Sequence, residues 1–190
     1  MLHFSGSVPA PVLFLNGTSS SGKTTLANSL QARLPQPWMV VSLDVYLNQL
    51  HDDVLIDNRK MCELIPSLLD GFNGSIAAVS RAGVPQIIDH VLQEPLWLAP
   101  CLQALQGIPV IFVKVDCPLD ELKRREAARG DRRPGMAEYQ FHRVHQNKQY
   151  DITVNTASMT TDECVEAIMN WMQAERIPTA FAQMRQDTEA

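Results

Sequence analysis

An α/β fold built on a mostly parallel sheet is predicted by three features of the sequence. First, Gly17-Thr18-Ser19-Ser20-Ser21-Gly22-Lys23-Thr24 fits the pattern G-x-x-x-x-G-K-[ST]. The backbone N–H groups of such a loop wrap a nucleotide's phosphates. Its lysine reaches the β- and γ-oxygens, and its last hydroxyl ligates Mg²⁺. Second, the loop has the required flanks. Pro11-Val12-Leu13-Phe14-Leu15-Asn16 reads as a buried parallel strand, and Leu26, Leu30 and Leu34 recur at helical spacing after it. A helix starting there aims its dipole and unpaired N–H groups at the anion. Third, strand-like and helical stretches alternate along the rest of the chain, the mark of a parallel sheet with right-handed crossovers. Together these predict a P-loop architecture. Gly17, Thr18, Ser19, Ser20, Ser21, Gly22, Lys23, Thr24 and Thr25 are its nucleotide-binding residues, with Thr24 on Mg²⁺.

The bulk composition narrows the class. A chain of 190 residues suggests one domain, 1–190, large enough for a full core. A hydrophobic share of 45% and a charged share of 19% are ordinary for a soluble globular chain. The net charge of −5 supplies no global basic field, so nucleic acid is not an expected partner. No apolar run approaches the roughly 18 residues of a membrane span. Met1 to Pro11 lacks a basic signal region and reads as a short leader. Cys62, Cys101, Cys117 and Cys164 form no C-x-x-C pair, which argues for reduced thiols in the cytoplasm and against zinc. The composition leaves a homo-oligomer open.

In chain order, Pro35 and Pro37 stop the first helix. Trp38 to Leu43 is the second strand candidate and ends on Asp44. Ligands of open parallel sheets bind beyond the carboxyl ends of strands, so Asp44 stands where a catalytic carboxylate belongs. Residues 45–65 are irregular and read either as the acceptor-binding segment or as a solvated loop with a short helix. A helix is expected from Pro66, with Leu68, Phe72, Ile76 and Val79 on one stripe. Gly71 and Gly74 inside it each cost about 1 kcal/mol against alanine, and Gly83 suits the position after its end. Gln86 to Val91 is the third strand, with Asp89 near its end. Pro95 opens a helix that Gly107 closes, and Ile108 to Val115 is the fourth strand. The helix after Pro118 turns basic, with Lys123, Arg124, Arg125, Arg129, Arg132 and Arg133. Met136 to Lys148 reads as helical, Tyr150 to Asn155 as the fifth strand. Thr160 and Glu163 form a capping box ahead of an amphipathic helix through Trp171. The tail beyond Ile177 is expected to fray. His142 and His145 share a face if helical, and packing is a simpler role for them than metal binding.

Among P-loop proteins, a GTPase needs N-K-x-D, and Asn147-Lys148-Gln149-Tyr150-Asp151 carries its acid one residue late. A small-molecule kinase needs a compact sheet, a base beside the acceptor and a mobile arginine lid. The arginine run, broken by Gly130 and Pro134-Gly135, supplies a lid at about 124–136. Its guanidiniums would stabilise charge on the transferring phosphoryl group. Arg129 and Arg132 are the favoured residues. The plain alternative is a solvated basic face paired with Glu121 and Glu126.

Leu15-Asn16-Gly17, Ser19-Ser20, Gly22-Lys23, Leu34-Pro35, Pro37-Trp38, Asp44, Ile87-Ile88-Asp89, Ala128-Arg129-Gly130-Asp131-Arg132 and Gly135-Met136 together resemble the chloramphenicol 3-O-phosphotransferase family. Val144-His145 and Tyr150-Asp151 continue the match. The resemblance implies a nucleoside-monophosphate-kinase-like three-layer sandwich with strand order 2-3-1-4-5. It implies an enzyme, an ATP- and Mg²⁺-dependent kinase of a small-molecule hydroxyl, with antibiotic resistance as one role. It makes Asp44 the catalytic base, alongside Lys23, Arg129 and Arg132. Asp89 would assist Mg²⁺ through water, or serve as a structural acid at the sheet edge. Acceptor contacts would come from Asp44, Arg59 and His90, the last standing where the family commonly has a second acid. A nucleotide, nucleotide-sugar or metabolite kinase of the zeta-toxin type, and a non-catalytic nucleotide-binding regulator, are the alternatives.

Overall fold

A computed structural model describes residues 8–129, 135–174 and 176–189. Five strands, β1 (Val12–Asn16), β2 (Met39–Ser42), β3 (Gln86–His90), β4 (Val110–Asp116) and β5 (Ile152–Asn155), form one parallel sheet ordered β2-β3-β1-β4-β5. This is the order that the resemblance implies. Asn16 lies level with His90 and Lys114, and Ser42 with Asp89. The strand order reverses at β1, so the crevice at its carboxyl end is the natural ligand position.

Alternation along β1 sends its residues to two cores. Val12 and Phe14 join Ile88 and Phe112 beneath α4 (Asn58–Arg81), α5 (Pro95–Ala104) and α9 (Ala180–Glu189). Leu13 and Leu15 join Ile87 and Val113 beneath α1 (Lys23–Arg33) and α8 (Thr161–Gln173). Strands buried on both faces favour near-continuous apolar runs, which β1 and β4 have, whereas β3 is buried with only Ile87 and Ile88 apolar.

Five expectations need correction. β2 stops at Ser42, and Asp44 sits in the first turn of a short helix α2 (Leu43–Leu47) rather than at a strand end. Ser42 is the N-cap, its hydroxyl accepting the Asp44 N–H at 3.2 Å. The segment 45–65 is largely helical, with α2, α3 (Asp52–Ile56) and the first turns of α4. α4 begins at Asn58, because the Asp57 carboxylate accepts the N–H groups of Arg59 and Lys60. Pro66 therefore lies inside the helix instead of opening it. Beyond Met136, α7 (Met136–Phe141) stops early, and the chain turns through Asn147 at φ 54° to reach β5. Finally, the tail is ordered: Phe181 and Met184 of α9 are buried, and the Asp151 carboxylate accepts the Thr179 and Ala180 N–H groups at 2.8 and 3.1 Å. The capping box at Thr160 and Glu163 forms as expected. Three of the four thiols are buried, and Cys62 on α4 is exposed.

Candidate active site

Asn16, fully buried at the end of β1, fixes the floor of the site. Its amide NH₂ donates to the Val144 carbonyl at 3.0 Å and the Tyr150 hydroxyl at 2.8 Å, and its oxygen accepts the Leu92 N–H at 2.8 Å. The loop then turns sharply. A Cβ on Gly17 would stand 2.4 Å from the Val115 carbonyl oxygen, so only glycine fits. Ser20 at φ 64° and Gly22 at φ 88° are left-handed, and such residues point successive N–H groups into one concavity. Among the described residues, the buried hydroxyls of Ser20 and Ser21 have no hydrogen-bond partner. Left-handed turns and orphaned donors together fit a polyphosphate.

Lys23 and Thr24 open α1 beneath this loop. The Lys23 ammonium donates to the Thr18 carbonyl at 2.8 Å and lies 3.9 Å from Asp89. The Thr24 hydroxyl donates to the other Asp89 oxygen at 2.6 Å. Asp89 is not at a sheet edge, since β3 runs between β2 and β1. A hydroxyl beside a carboxylate is a hard-oxygen pair of the kind Mg²⁺ accepts while keeping waters and substrate phosphates as its other ligands. Among the described residues, no cluster of three or more His, Cys, Asp or Glu side chains is arranged around a metal position.

On the other flank, Asp44 is exposed on α2. His90 is 3% exposed, stacked on Trp97 at 6.4 Å and edged by Phe72 at 5.4 Å and Phe14 at 6.0 Å. Burial pushes its pKa down to about 3, the Lys23 charge pushes the same way, and the Asp44 charge opposes both. His90 is therefore a neutral imidazole at physiological pH, within electrostatic reach of both groups. Its Nε2 is buried without a hydrogen-bond partner among the described residues. Arg59 stands apart in the exposed first turn of α4, paired with Glu63 at 3.3 Å.

The basic run expected to form a lid begins on α6 (Leu119–Arg129). Arg129 is exposed in its last turn, while Arg132 and the rest of 130–134 lie outside the described residues. Glu121 and Glu126 play different parts. Glu121 binds Arg124 and Arg125, each at 2.7 Å. Buried Glu126 instead accepts the Gly135 and Ala137 N–H groups at 3.0 and 2.8 Å, fastening the start of α7 to α6. Arg125 also donates to the Thr156 carbonyl at 2.8 Å, and the Thr156 hydroxyl donates to the Ser21 carbonyl at 2.8 Å. Between them opens a cleft of about 190 Å³ walled by Gly22, Thr25, Leu26, Arg125, Thr156 and Met159. His145 shares a 2.7 Å hydrogen bond with the Tyr150 hydroxyl, and His142 packs on Phe141. The two histidines do not share a helix face, because α7 has ended before them.

Residues 10–173 match the family model described as chloramphenicol phosphotransferase-like protein. The chain belongs to this family. Among sequences, the chain is 28% identical to two Mycobacterium tuberculosis proteins, one from each of two strains, named "Putative O-phosphotransferase", over 92% of this chain and 87% of theirs. Among solved structures, it superposes on a Mycobacterium tuberculosis APS kinase in complex with AMPPNP and APS. That match has a TM-score of 0.69 at 16% identity, covering 88% of this chain and 99% of the other. It also superposes on a Deinococcus radiodurans tunicamycin resistance protein, TM-score 0.61 at 22% identity, covering 86% and 96%. These neighbours share the P-loop kinase fold. Like other members of the family, the chain is a kinase-type phosphotransferase by its fold and family together.

Two groups escaped the sequence reading. Arg125 sits within the basic run, and only the fold shows it held against Thr156 across the cleft. Gln140 of α7 accepts the Ser19 N–H of the loop at 2.6 Å, a contact with no local signature.

Proposed function

We propose that this chain transfers the γ-phosphoryl group of ATP to a hydroxyl of an uncharged small molecule, with Mg²⁺ bound at Thr24 and Asp89. The observation that carries the reading is the cluster at the carboxyl ends of β1 and β3. Lys23, Thr24 and Asp89 face the phosphate loop, and Asp44 and His90 flank them on the β2 side. The polyphosphate lies along the loop, and the nucleobase enters the cleft beside Arg125, whose guanidinium Glu121 and Thr156 hold in place. Thr24 and Asp89 would hold the magnesium, which would supply neutralising positive charge beside the phosphates. Lys23 adds charge at the γ-phosphoryl group, and Arg129 and Arg132 add more from the lid.

The bond between the acceptor oxygen and the γ-phosphorus forms as the bond to the bridging oxygen of ADP breaks. Asp44 receives the hydroxyl proton and passes it to water. An ordinary aspartate is a weak base near neutral pH, so orienting the hydroxyl toward phosphorus is the larger part of its work in a loose transition state. His90 offers the acceptor a neutral hydrogen-bonding group inside an aromatic wall. That favours an uncharged ring-bearing alcohol, such as a hydroxylated antibiotic, over a cation.

The test is an ATP-consumption screen against hydroxylated antibiotics, nucleosides and sugars, with product mass measured. Wild type should add one phosphoryl group to a neutral alcohol. Asp44→Asn should retain ATP binding and lose about 10²- to 10⁴-fold in transfer rate. A transfer rate that Asp44→Asn leaves unchanged would remove the base, and phosphorylation only of nucleotides would favour a nucleotide kinase.

A further inference from the structure

We propose that Gln140 is a positioning residue that couples the phosphate loop to the acceptor side of the cleft. This rests on the phosphotransfer reading above. Gln140 is 7% exposed, and both ends of its amide are engaged. Its oxygen accepts the Ser19 N–H at 2.6 Å, and its NH₂ donates to the Gln93 side-chain oxygen at 2.7 Å. Gln93 lies three residues beyond His90. Next to Gln140, the Tyr139 hydroxyl donates to Glu94 at 2.8 Å, a second tie to the same turn. At its other end α7 is rooted on α6 through Glu126, within one turn of Arg129. One short helix thus touches the donor loop, the turn after β3 and the base of the lid.

The chemistry dictates a glutamine. A backbone N–H needs an acceptor, and Gln93 offers its oxygen, which needs a donor. A side-chain amide gives both at once, from two different atoms and with no charge. The Ser19 N–H precedes the left-handed Ser20, so holding it sets the direction of the amides that follow. A carboxylate in the same place would accept from Ser19 equally well, but it would set a negative charge beside the phosphates and repel Gln93.

Two readouts separate this from simple packing. ATP affinity, measured by calorimetry without any acceptor, should fall about tenfold or more in Gln140→Glu, a loss of about 1.4 kcal/mol, and only about threefold in Gln140→Met, which loses the Ser19 hydrogen bond without adding a charge. With the acceptor found in the screen, Gln140→Met should lower the ratio of phosphoryl transfer to ATP hydrolysis by about 100-fold, the cost of a small misplacement. Gln93→Met should reproduce that loss without weakening ATP, and the double variant should be no worse than Gln140→Met alone. Equal ATP affinity in Gln140→Glu and Gln140→Met, an unchanged transfer-to-hydrolysis ratio, or additive losses in the double variant would overturn the proposal. If wild type transfers to no alcohol, the phosphotransfer reading fails by itself, and the affinity pair still decides the role of Gln140. If Gln140→Met does not fold, Gln140→Glu and Gln93→Met carry the same two tests.

Discussion

Lys23 has two contacts to give up when phosphates arrive. Its ammonium, 6% exposed, donates to Thr18 and leans on Asp89, while Thr24 donates to the same carboxylate. Asp89 therefore holds both loop side chains in their working rotamers. Asp89→Asn would keep the shape and remove the charge that a divalent cation needs. It should raise the Mg²⁺ concentration for half-maximal ATP turnover by about 10- to 100-fold, as a magnesium titration at saturating ATP will show; an unchanged midpoint would leave Asp89 a structural acid. At this scale the sequence was informative wherever function is local. The loop from Gly17 to Thr24 needs its residue types at fixed spacing, so it reads directly. Gln140 meets Ser19 across 121 residues and Gln93 across 47, and no spacing rule announces such a pair. The sequence offers His90 as an acceptor contact or a strand-end cap, and it does not announce the rings of Phe72 and Trp97 that keep it buried and neutral.

At the scale of elements, α4 is the most revealing. Its polar start, Asp57-Asn58-Arg59, was read as loop, yet the Asp57 carboxylate caps the helix there. Pro66 was read as a first-turn residue because proline is welcome only where its missing N–H is spare. Inside the helix it leaves the Cys62 carbonyl without its usual donor, a cost the packing of Leu69, Phe72 and Ile76 outweighs. Gly71 and Gly74 add a further cost with no steric excuse, since an added Cβ would meet nothing within 4 Å at either position. Gly74→Ala should therefore stabilise the protein by about 0.5–1 kcal/mol, read as a higher denaturation midpoint with unchanged slope. A stable variant with impaired transfer would show that a ligand needs that space. The mid-sheet strands were legible because burial on both faces favours apolar runs. α9 was not, since its buried face is marked by Ala180, Phe181 and Met184 within a polar stretch and its cap, Asp151, lies far back in the chain.

For the whole molecule, two histidines make acid a solvent the fold resists poorly. Burial is the main cause in each: it brings His90 from 6.5 down to about 3 and His145 from 6.5 down to about 4. Both stay neutral when folded while the unfolded chain takes up protons. Stability is thus intact above pH 6.5 and falls as the pH drops toward 4, by about 1.4 kcal/mol per pH unit for each histidine within that window. Melting temperatures between pH 7.5 and 4.5 should decline, and less steeply in His145→Gln than in wild type. Parallel curves would assign the acid sensitivity to the carboxylates instead.

Cys62 gives the experimenter a handle on this assembly. Cys101, Cys117 and Cys164 are buried, and burial raises the thiols of all three, that of Cys101 to about 12. A maleimide dye should attach at Cys62 alone, one equivalent per chain by mass. The dye would ride on α4 without touching Lys23, Asp89 or Gln140. Its emission would then follow ligand arrival in real time, in wild type and in each variant above, without waiting for a product to be identified.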